Sequence, residues 1–178
     1  RCVNMHKSNS VNLDPDTLLR AYVQGVFPMG DSDGVIRWYT ADPRGIIPLD
    51  RFHVPRTLRQ TVRQRRFEIR INTAFEQVMR KCMEVRPVSW INQELIEAYL
   101  RLYELGYAHS VESWRNGELV GGLYGVSLGG AFFGESMFHR ETDASKVALV
   151  HLVARLERGG YRLLDTQFQT GHLAQFGT

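Results

Sequence analysis

Apolar residues at helical spacing, Leu18, Leu19, Tyr22 and Val23, mark the first element, with Asp14 placed to cap it, Pro15 in its first turn and Gly25 at its end. From Val26 to Asp50 the pattern is interrupted by Pro28, Gly30, Gly34, Pro43, Gly45 and Pro48, predicting a loop-rich lobe with short strand-like pieces around Trp38 and Ile46. A helix is expected from near Pro55, then an alternating strand over Phe67–Ile71, then a helix through Cys82 opened by a capping box of Thr73 and Glu76. Asn92 is placed to cap the next helix, which buries Leu95, Ile96, Tyr99, Leu102 and Tyr103 and stops at Gly106. Beyond it the period falls from about 3.6 to about 2, the signature of strands. Ser110–Arg115, Glu118–Leu128 and Ala131–Phe138 read as antiparallel strands joined by turns at Asn116-Gly117 and Gly129-Gly130. Asp143 is placed to cap a helix carrying Ala148, Leu149, Leu152, Val153 and Leu156, and Gly159-Gly160 releases the chain into a strand over Tyr161–Phe168. The order strands, helix, strand is an α+β arrangement with a mainly antiparallel sheet.

A chain of 178 residues has room for one main core and an appended lobe. The punctuation places their boundary near residues 42 to 50, giving a small N-terminal lobe over 1–45 and a main domain over 46–178. No apolar run approaches the roughly 20 residues of a spanning helix, and the polar opening, in which Met5 is a candidate natural start, lacks the apolar centre of a secretory signal. Cys2, expected in a flexible tail, and Cys82, in a helical pattern, form no disulfide framework, so a reducing compartment is expected. Net charge is only +3, but its distribution is uneven. Arg51–Arg70 holds seven arginines against one acid, Glu68. On a helix Arg56, Arg59, Arg63 and Arg66 fall near one side, as a stripe able to follow a phosphate backbone or as a solvated helix face.

Several generic chemistries fail on detail. Gly134-Glu135-Ser136-Met137-Phe138 lacks the last glycine of a nucleophile elbow and reads as a strand. The glycines from Gly121 to Gly134 lack the Gly-Lys-Ser/Thr ending of a phosphate loop. His6, His53, His109, His139, His151 and His172 show no ligand spacing with one another or with cysteine, so no metal is expected. What remains is polar. Asp165 and Gln167 are two apart and share a strand face, a pattern that serves either a site or a strand end meeting water. Glu135 lies in an aromatic-rich strand between Phe133 and Met137, where an acid either pairs or serves a ligand.

The segments Tyr22-Val-Gln-Gly25-Val-Phe27-Pro28-Met29, Trp38-Tyr-Thr-Ala-Asp42-Pro43-Arg44, Trp90-Ile91, Phe133-Gly134-Glu135-Ser136-Met137-Phe138, Asp143-Ala-Ser145-Lys146, Leu164-Asp165-Thr166-Gln167 and His172-Leu173 resemble, in order, the motifs of bacterial leucyl/phenylalanyl-tRNA protein transferases. The resemblance runs from residue 13 onward. It implies a GNAT-like main domain, similar to the GCN5-related acetyltransferases, and an enzyme without cofactor. That enzyme moves leucine, phenylalanine or methionine from aminoacyl-tRNA to the N-terminus of proteins beginning with Arg or Lys, marking them for N-end-rule degradation. A cytoplasmic monomer is implied. By the same resemblance Asp165, Gln167 and Glu135 carry the chemistry, with Tyr22 and Tyr99 as supporting hydroxyls. Met29, at the terminal adenosine, Trp38 and Trp90 bind substrate, and Leu123, Phe132, Met137, Leu149, Leu156 and Leu164 form the amino-acid pocket. Met29 stands where some members carry Trp, Leu123 and Leu156 where some carry larger side chains, and members continue past residue 178 with a basic tail. Two rivals make different demands: an acetyl-CoA-dependent acetyltransferase needs a Gln/Arg-x-x-Gly-x-Gly/Ala loop where this chain has His139-Arg-Glu-Thr-Asp143, and a plain RNA-binding module has no use for Glu135, Asp165 and Gln167.

Overall fold

The computed structural model describes residues 2–4, as backbone, and 11–178; Met5 and His6 lie outside the described residues. Strands β1 (Cys2–Asn4), β2 (Phe27–Gly30) and β3 (Ile36–Ala41) form a small antiparallel sheet in the order β1-β3-β2. Cys2, expected in a tail, is thus paired through its backbone with Ala41. Helix α1 (Pro15–Val23) leads into β2, and its cap is the one expected, Asp14 Oδ1 accepting from the Thr17 N–H at 3.0 Å.

The larger sheet contains β4 (Gly45–Pro48), β5 (Glu68–Ile71), β6 (Ala108–Arg115), β7 (Glu118–Leu128), β8 (Ala131–His139) and β9 (Leu163–Gln167). Their order is β4-β9-β8-β7-β6-β5, antiparallel throughout except for β8 and β9. The β6–β7 hairpin turns at Asn116 and Gly117, both at positive φ as a tight right-twisted turn requires. Helices α2 (Arg56–Arg63) and α5 (Ala144–Arg158) cover one face, where Leu58, Leu149, Leu152, Val153 and Leu156 pack with Val111, Leu123, Phe132 and Leu164. Helices α3 (Phe75–Glu84) and α4 (Gln93–Glu104) cover the other. There Leu18, Tyr22, Phe27 and Tyr39 of the lobe join Val78, Met79, Leu95, Tyr99, Tyr124 and Phe133 in a single cluster, so the lobe shares its core with the main domain. A short helix α6 (Gly171–Ala174) follows β9. Among the described residues no helix is long and apolar enough to cross a membrane.

Three helix-end expectations are corrected. Arg66 lies past the end of α2, which stops at Arg63, so the expected four-arginine stripe is three exposed helical arginines and one beyond. Asp143 precedes α5 in a left-handed conformation and makes no capping bond; its Oδ1 lies 3.4 Å from Lys146 Nζ instead. The Thr73–Glu76 capping box does not form either. Glu112, reaching in from β6, accepts from the N–H groups of Thr73 and Ala74 at 2.9 and 2.8 Å, and from the Thr73 hydroxyl. It also accepts from Ser110 Oγ at 2.7 Å and Trp114 Nε1 at 3.1 Å. A tertiary carboxylate has displaced the local cap, because Glu112 is fully buried and tolerates burial only when its oxygens are saturated with donors.

Removing that acceptor strands the α3 N-terminal amides. Glu112→Ala is expected to lower unfolding stability by about 3 kcal/mol or more in urea titration, and Glu112→Gln, which keeps one acceptor oxygen for the α3 amides, by less.

Candidate active site

Strands β8 and β9 pair only where Ala131–Phe133 meet Leu163–Asp165, although both continue further. Past that point they part, and a cavity of about 480 Å³ opens between Gly134–Met137 on one side and Thr166–Phe168 on the other. Its far wall is apolar, built from Leu123, Met137, Leu149, Leu152, Leu164 and Leu173; its near wall is polar, with Glu135, Ser136, Gln167, Tyr124 and Arg86. Met29 and Trp90 stand together at the same cavity because Gly30 of β2 donates its N–H to the Trp90 carbonyl at 2.9 Å. A side chain at residue 30 would put its Cβ 2.8 Å from that oxygen, so only glycine allows the approach.

Glu135 owes its position to a break in the ladder. Tyr124 pairs with Ser136 and Gly125 with Gly134, so Glu135 has no partner on β7 and is the extra residue of a bulge. Glu135 and Ser136 therefore both turn toward the α3–α4 side. There Tyr22 Oη donates to Glu135 Oε1 at 2.6 Å, Gln167 Nε2 donates to the same oxygen at 2.9 Å, and Tyr99 Oη lies 3.4 Å from Oε2. The hydroxyls of Tyr22 and Tyr99 are also bonded to each other. Arg86 Nη1 donates to Ser136 Oγ at 2.8 Å. Burial drives the Glu135 carboxyl up to about 7, with the charge of Asp165 adding to it; the Tyr22 and Gln167 hydrogen bonds and Arg44 pull the other way. Burial and the adjacent Glu135 likewise raise Tyr22 and Tyr99 well above the ordinary phenol value, so both remain donors.

Gln167 ends β9 at φ +60, a left-handed conformation uncommon for a residue with a side chain. Asp165 holds it there, its Oδ1 accepting the Gln167 backbone N–H at 2.8 Å. Asp165 is itself gripped from the lobe: Arg44 Nε lies 3.0 Å from both carboxylate oxygens, Arg44 Nη1 donates to the Gly25 carbonyl at 2.6 Å, and the guanidinium covers the Phe27 ring at 5.1 Å.

The structure thus brings Glu135, Gln167, Met29, Trp90, Leu123, Met137, Leu149 and Leu164 to one cavity. It places Asp165, Tyr22 and Tyr99 behind the wall, where they hold Gln167 and Glu135 and do not face the cavity. Phe132 and Leu156 lie in the core on the α5 side without reaching the cavity, and Trp38 packs against the other cluster. None of Arg56, Arg59, Arg63 and Arg66 borders it; Arg66 lines a separate hollow with Arg65, His151 and Arg155. The sequence reading missed Arg44, Arg86, Tyr124 and Leu152. Leu152 was within reach, three residues from Leu149 on the same helical face. Arg44 stood in a quoted motif without a role, and no local signal marked Tyr124 or Arg86.

An apolar recess beside a carboxamide and a carboxyl poised near neutrality is a site for a substrate with a greasy group next to a reacting polar one. The sequence pattern of the leucyl/phenylalanyl-tRNA protein transferases matches residues 46–178, and that of their N-terminal domain residues 11–42. The chain belongs to this family. The leucyl/phenylalanyl-tRNA--protein transferase of Paramagnetospirillum magneticum is 64% identical over 170 residues, covering 93% of this chain and 81% of its own. Those of Gloeobacter violaceus, at 59% with 93% and 86% covered, and Salinibacter ruber, at 56% with 93% and 74% covered, are also similar. Among solved structures, the C-terminal domain of a putative lysylphosphatidylglycerol synthetase from Agrobacterium fabrum superposes with a TM-score of 0.47 at 12% identity, over 90% of this chain and 54% of that one.

The raised Glu135 carboxyl makes a signed stability prediction. The folded protein holds the Glu135 proton up to about pH 7, whereas the unfolded chain releases it near the ordinary value of 4.5, so its contribution is complete below about 4.5 and is lost as pH rises through 7. Unfolding free energies at pH 4.5 and 8 are expected to show Glu135→Gln gaining on the wild type by up to about 3 kcal/mol at the higher pH. Parallel pH curves for the two proteins would rule out a buried, titrating Glu135.

Proposed function

We propose that this protein transfers leucine, phenylalanine or methionine from aminoacyl-tRNA to the N-terminal α-amine of proteins beginning with Arg or Lys. Family membership supports the reaction class, and the observation that carries the reading is the cavity between β8 and β9, apolar on one wall and hydrogen-bonding on the other. Its volume of about 480 Å³ suits an amino-acid side chain with part of a nucleoside, and Met29 and Trp90 offer flat or polarisable surfaces for the adenine. Trp38 packs with Met29 and Trp90 against the same core cluster but does not line the cavity. A GNAT-like architecture for the main domain is consistent with a sheet whose one parallel pair diverges to admit substrate.

The reaction is aminolysis of an ester. The acceptor's amine nitrogen bonds to the acyl carbon, the bond to the 3′-terminal ribose oxygen breaks, and that oxygen leaves with the proton the amine gives up. The ester is already activated, so positioning supplies much of the acceleration. Gln167 gives its amide N–H to Glu135, which leaves its carbonyl oxygen to accept from the amine and orient it. Asp165 sets the Gln167 backbone and acts through it. Glu135, charged in part near pH 7, attracts the cationic side chain of the acceptor's first residue. The exposed arginines Arg56, Arg59 and Arg63, with Arg66 beyond them, follow the tRNA phosphates away from the ester, which admits different tRNAs carrying one amino acid. The products enter N-end-rule degradation, and the protein acts in the cytoplasm as a monomer.

Burying a leucine-sized side chain is worth about 1.5–3 kcal/mol, enough to reject alanine but not to separate leucine sharply from methionine or phenylalanine. With a peptide beginning with Lys, transfer from radiolabelled leucyl-tRNA is expected to exceed transfer from alanyl-tRNA by about 10- to 100-fold. Acetyl-CoA in a parallel reaction is expected to yield no product. Acetylation without aminoacyl transfer would favour an acetyltransferase, and equal alanine and leucine transfer would remove the pocket assignment.

A further inference from the structure

Of the residues that line the cavity between β8 and β9, only Arg86 is an arginine or lysine. It stands partly exposed in the loop after α3, on the way to Trp90. Its guanidinium is aimed by one hydrogen bond, Nη1 donating to Ser136 Oγ at 2.8 Å, and among the described residues no carboxylate lies in ion-pair range of it. Glu135, the acid of the same wall, is engaged by Tyr22 and Gln167. Arg44 behind the site is by contrast committed, to Asp165 and to the Gly25 carbonyl. The remaining N–H groups of Arg86 are therefore open to a ligand. A guanidinium facing a largely apolar recess without a counter-charge is a costly arrangement that an anionic group relieves, and its planar fork of donors suits a phosphate.

We propose that Arg86 binds the 5′-phosphate of the terminal nucleotide of aminoacyl-tRNA, and so favours a donor joined to a nucleic-acid chain over a bare nucleoside ester. The assignment rests on the aminoacyl-transfer reading of the cavity. In that reading the adenine lies at Met29 and Trp90 and the acyl side chain in the leucine-lined recess. The ribose that joins them then crosses the polar wall of Glu135, Ser136 and Arg86. The 5′-phosphate hangs from that ribose by one methylene group, so it stays near the same wall. Arg86 is the permanent cation there. His172, the other basic side chain of the lining, is held below the ordinary imidazole value by burial and by the charges of Lys146 and His139, and is the weaker partner for an anion. The exposed arginines of α2 meet phosphates away from the cavity, whereas Arg86 fixes the one nearest the reacting ester. That phosphate carries the same charge before and during acyl transfer. The contact therefore holds bound substrate and transition state alike, and its loss falls on KM and not on kcat.

Two small esters, leucyl-adenosine and its 5′-phosphate, differ only in the group at issue. As unlabelled competitors of radiolabelled leucyl-tRNA in transfer to a Lys-initiated peptide, the phosphorylated ester is expected to inhibit the wild type about 10-fold more tightly than the bare one. In Arg86→Gln the two inhibition constants should become equal. KM for leucyl-tRNA should rise by about the same 10-fold, with kcat and melting temperature near the wild-type values. Arg86→Met, which keeps the aliphatic stem, takes over if the glutamine variant does not fold. Equal inhibition of the wild type by the two esters would overturn the assignment. So would a phosphate advantage that survives the substitution, which would put the phosphate elsewhere, or a fall in kcat with KM unchanged, which would have Arg86 act on the reacting ester. An equal loss of affinity for both esters with a lower melting temperature would make the residue structural and overturn it too. The wild-type protein in the same assay separates the two levels: no transfer from leucyl-tRNA contradicts the parent reading, whereas transfer without any advantage for the 5′-phosphate contradicts only the role of Arg86.

Discussion

The architecture turns on one buried carboxyl. Glu135 is reached by Tyr22 from helix α1, Tyr99 from helix α4 and Gln167 from strand β9, so lobe, helical layer and sheet meet on two oxygen atoms. A carboxyl in that position is expensive unless its oxygens are satisfied, and every donor that satisfies it fixes another part of the site. The bulge in β8 is what makes the meeting possible. Without the extra residue, the ladder would leave Glu135 and Ser136 on opposite faces, and one of the two would lose its partner among Tyr22, Tyr99 and Arg86.

A second acid completes the tie between lobe and domain. Asp165 links the Gln167 backbone to Arg44, and Arg44 in turn to the Gly25 carbonyl and the Phe27 ring. This largely buried pair is worth little as a stability device, since desolvation offsets most of its Coulombic gain. Its value is geometric: it sets the end of β9, where the polar wall of the cavity is made. The same economy appears at Glu112, which organises the start of α3 from β6. Three internal acids each fix backbone or side chains belonging to other elements, and only one of them faces the cavity.

What the sequence could reveal follows the range of each interaction. The Asp14 and Asn92 caps were legible because cap and amide are three residues apart, and the hairpin turns because Asn116-Gly117 specifies them locally. The failed cap at Thr73 was lost to a tertiary partner, Glu112, 39 residues away, whereas at Asp143 a left-handed backbone and a local pair with Lys146 stand in place of the cap. The pairing of Asp165 and Gln167 on one strand was visible from spacing, yet their division of labour was not, since it depends on Arg44, 121 residues distant, and on a positive φ. The acid at residue 135 was visible as a misfit among aromatics, but the bulge that re-aims it has no sequence signature of its own. Arg86 looked like an ordinary loop residue, and only its position around the opening between β8 and β9 gives it meaning.

The central claim, that Glu135 is a shared buried carboxyl changing charge near neutrality, is open to direct observation. In protein labelled with ¹³C at glutamate side-chain carboxyls, one resonance should titrate at about pH 7, vanish in Glu135→Gln, and move to a higher midpoint in Tyr22→Phe, which removes a hydrogen bond that favours the charged form. If every glutamate carboxyl instead titrates near the ordinary value of 4.5, Glu135 is neither buried nor shared in the way described, and the account of the site fails with it.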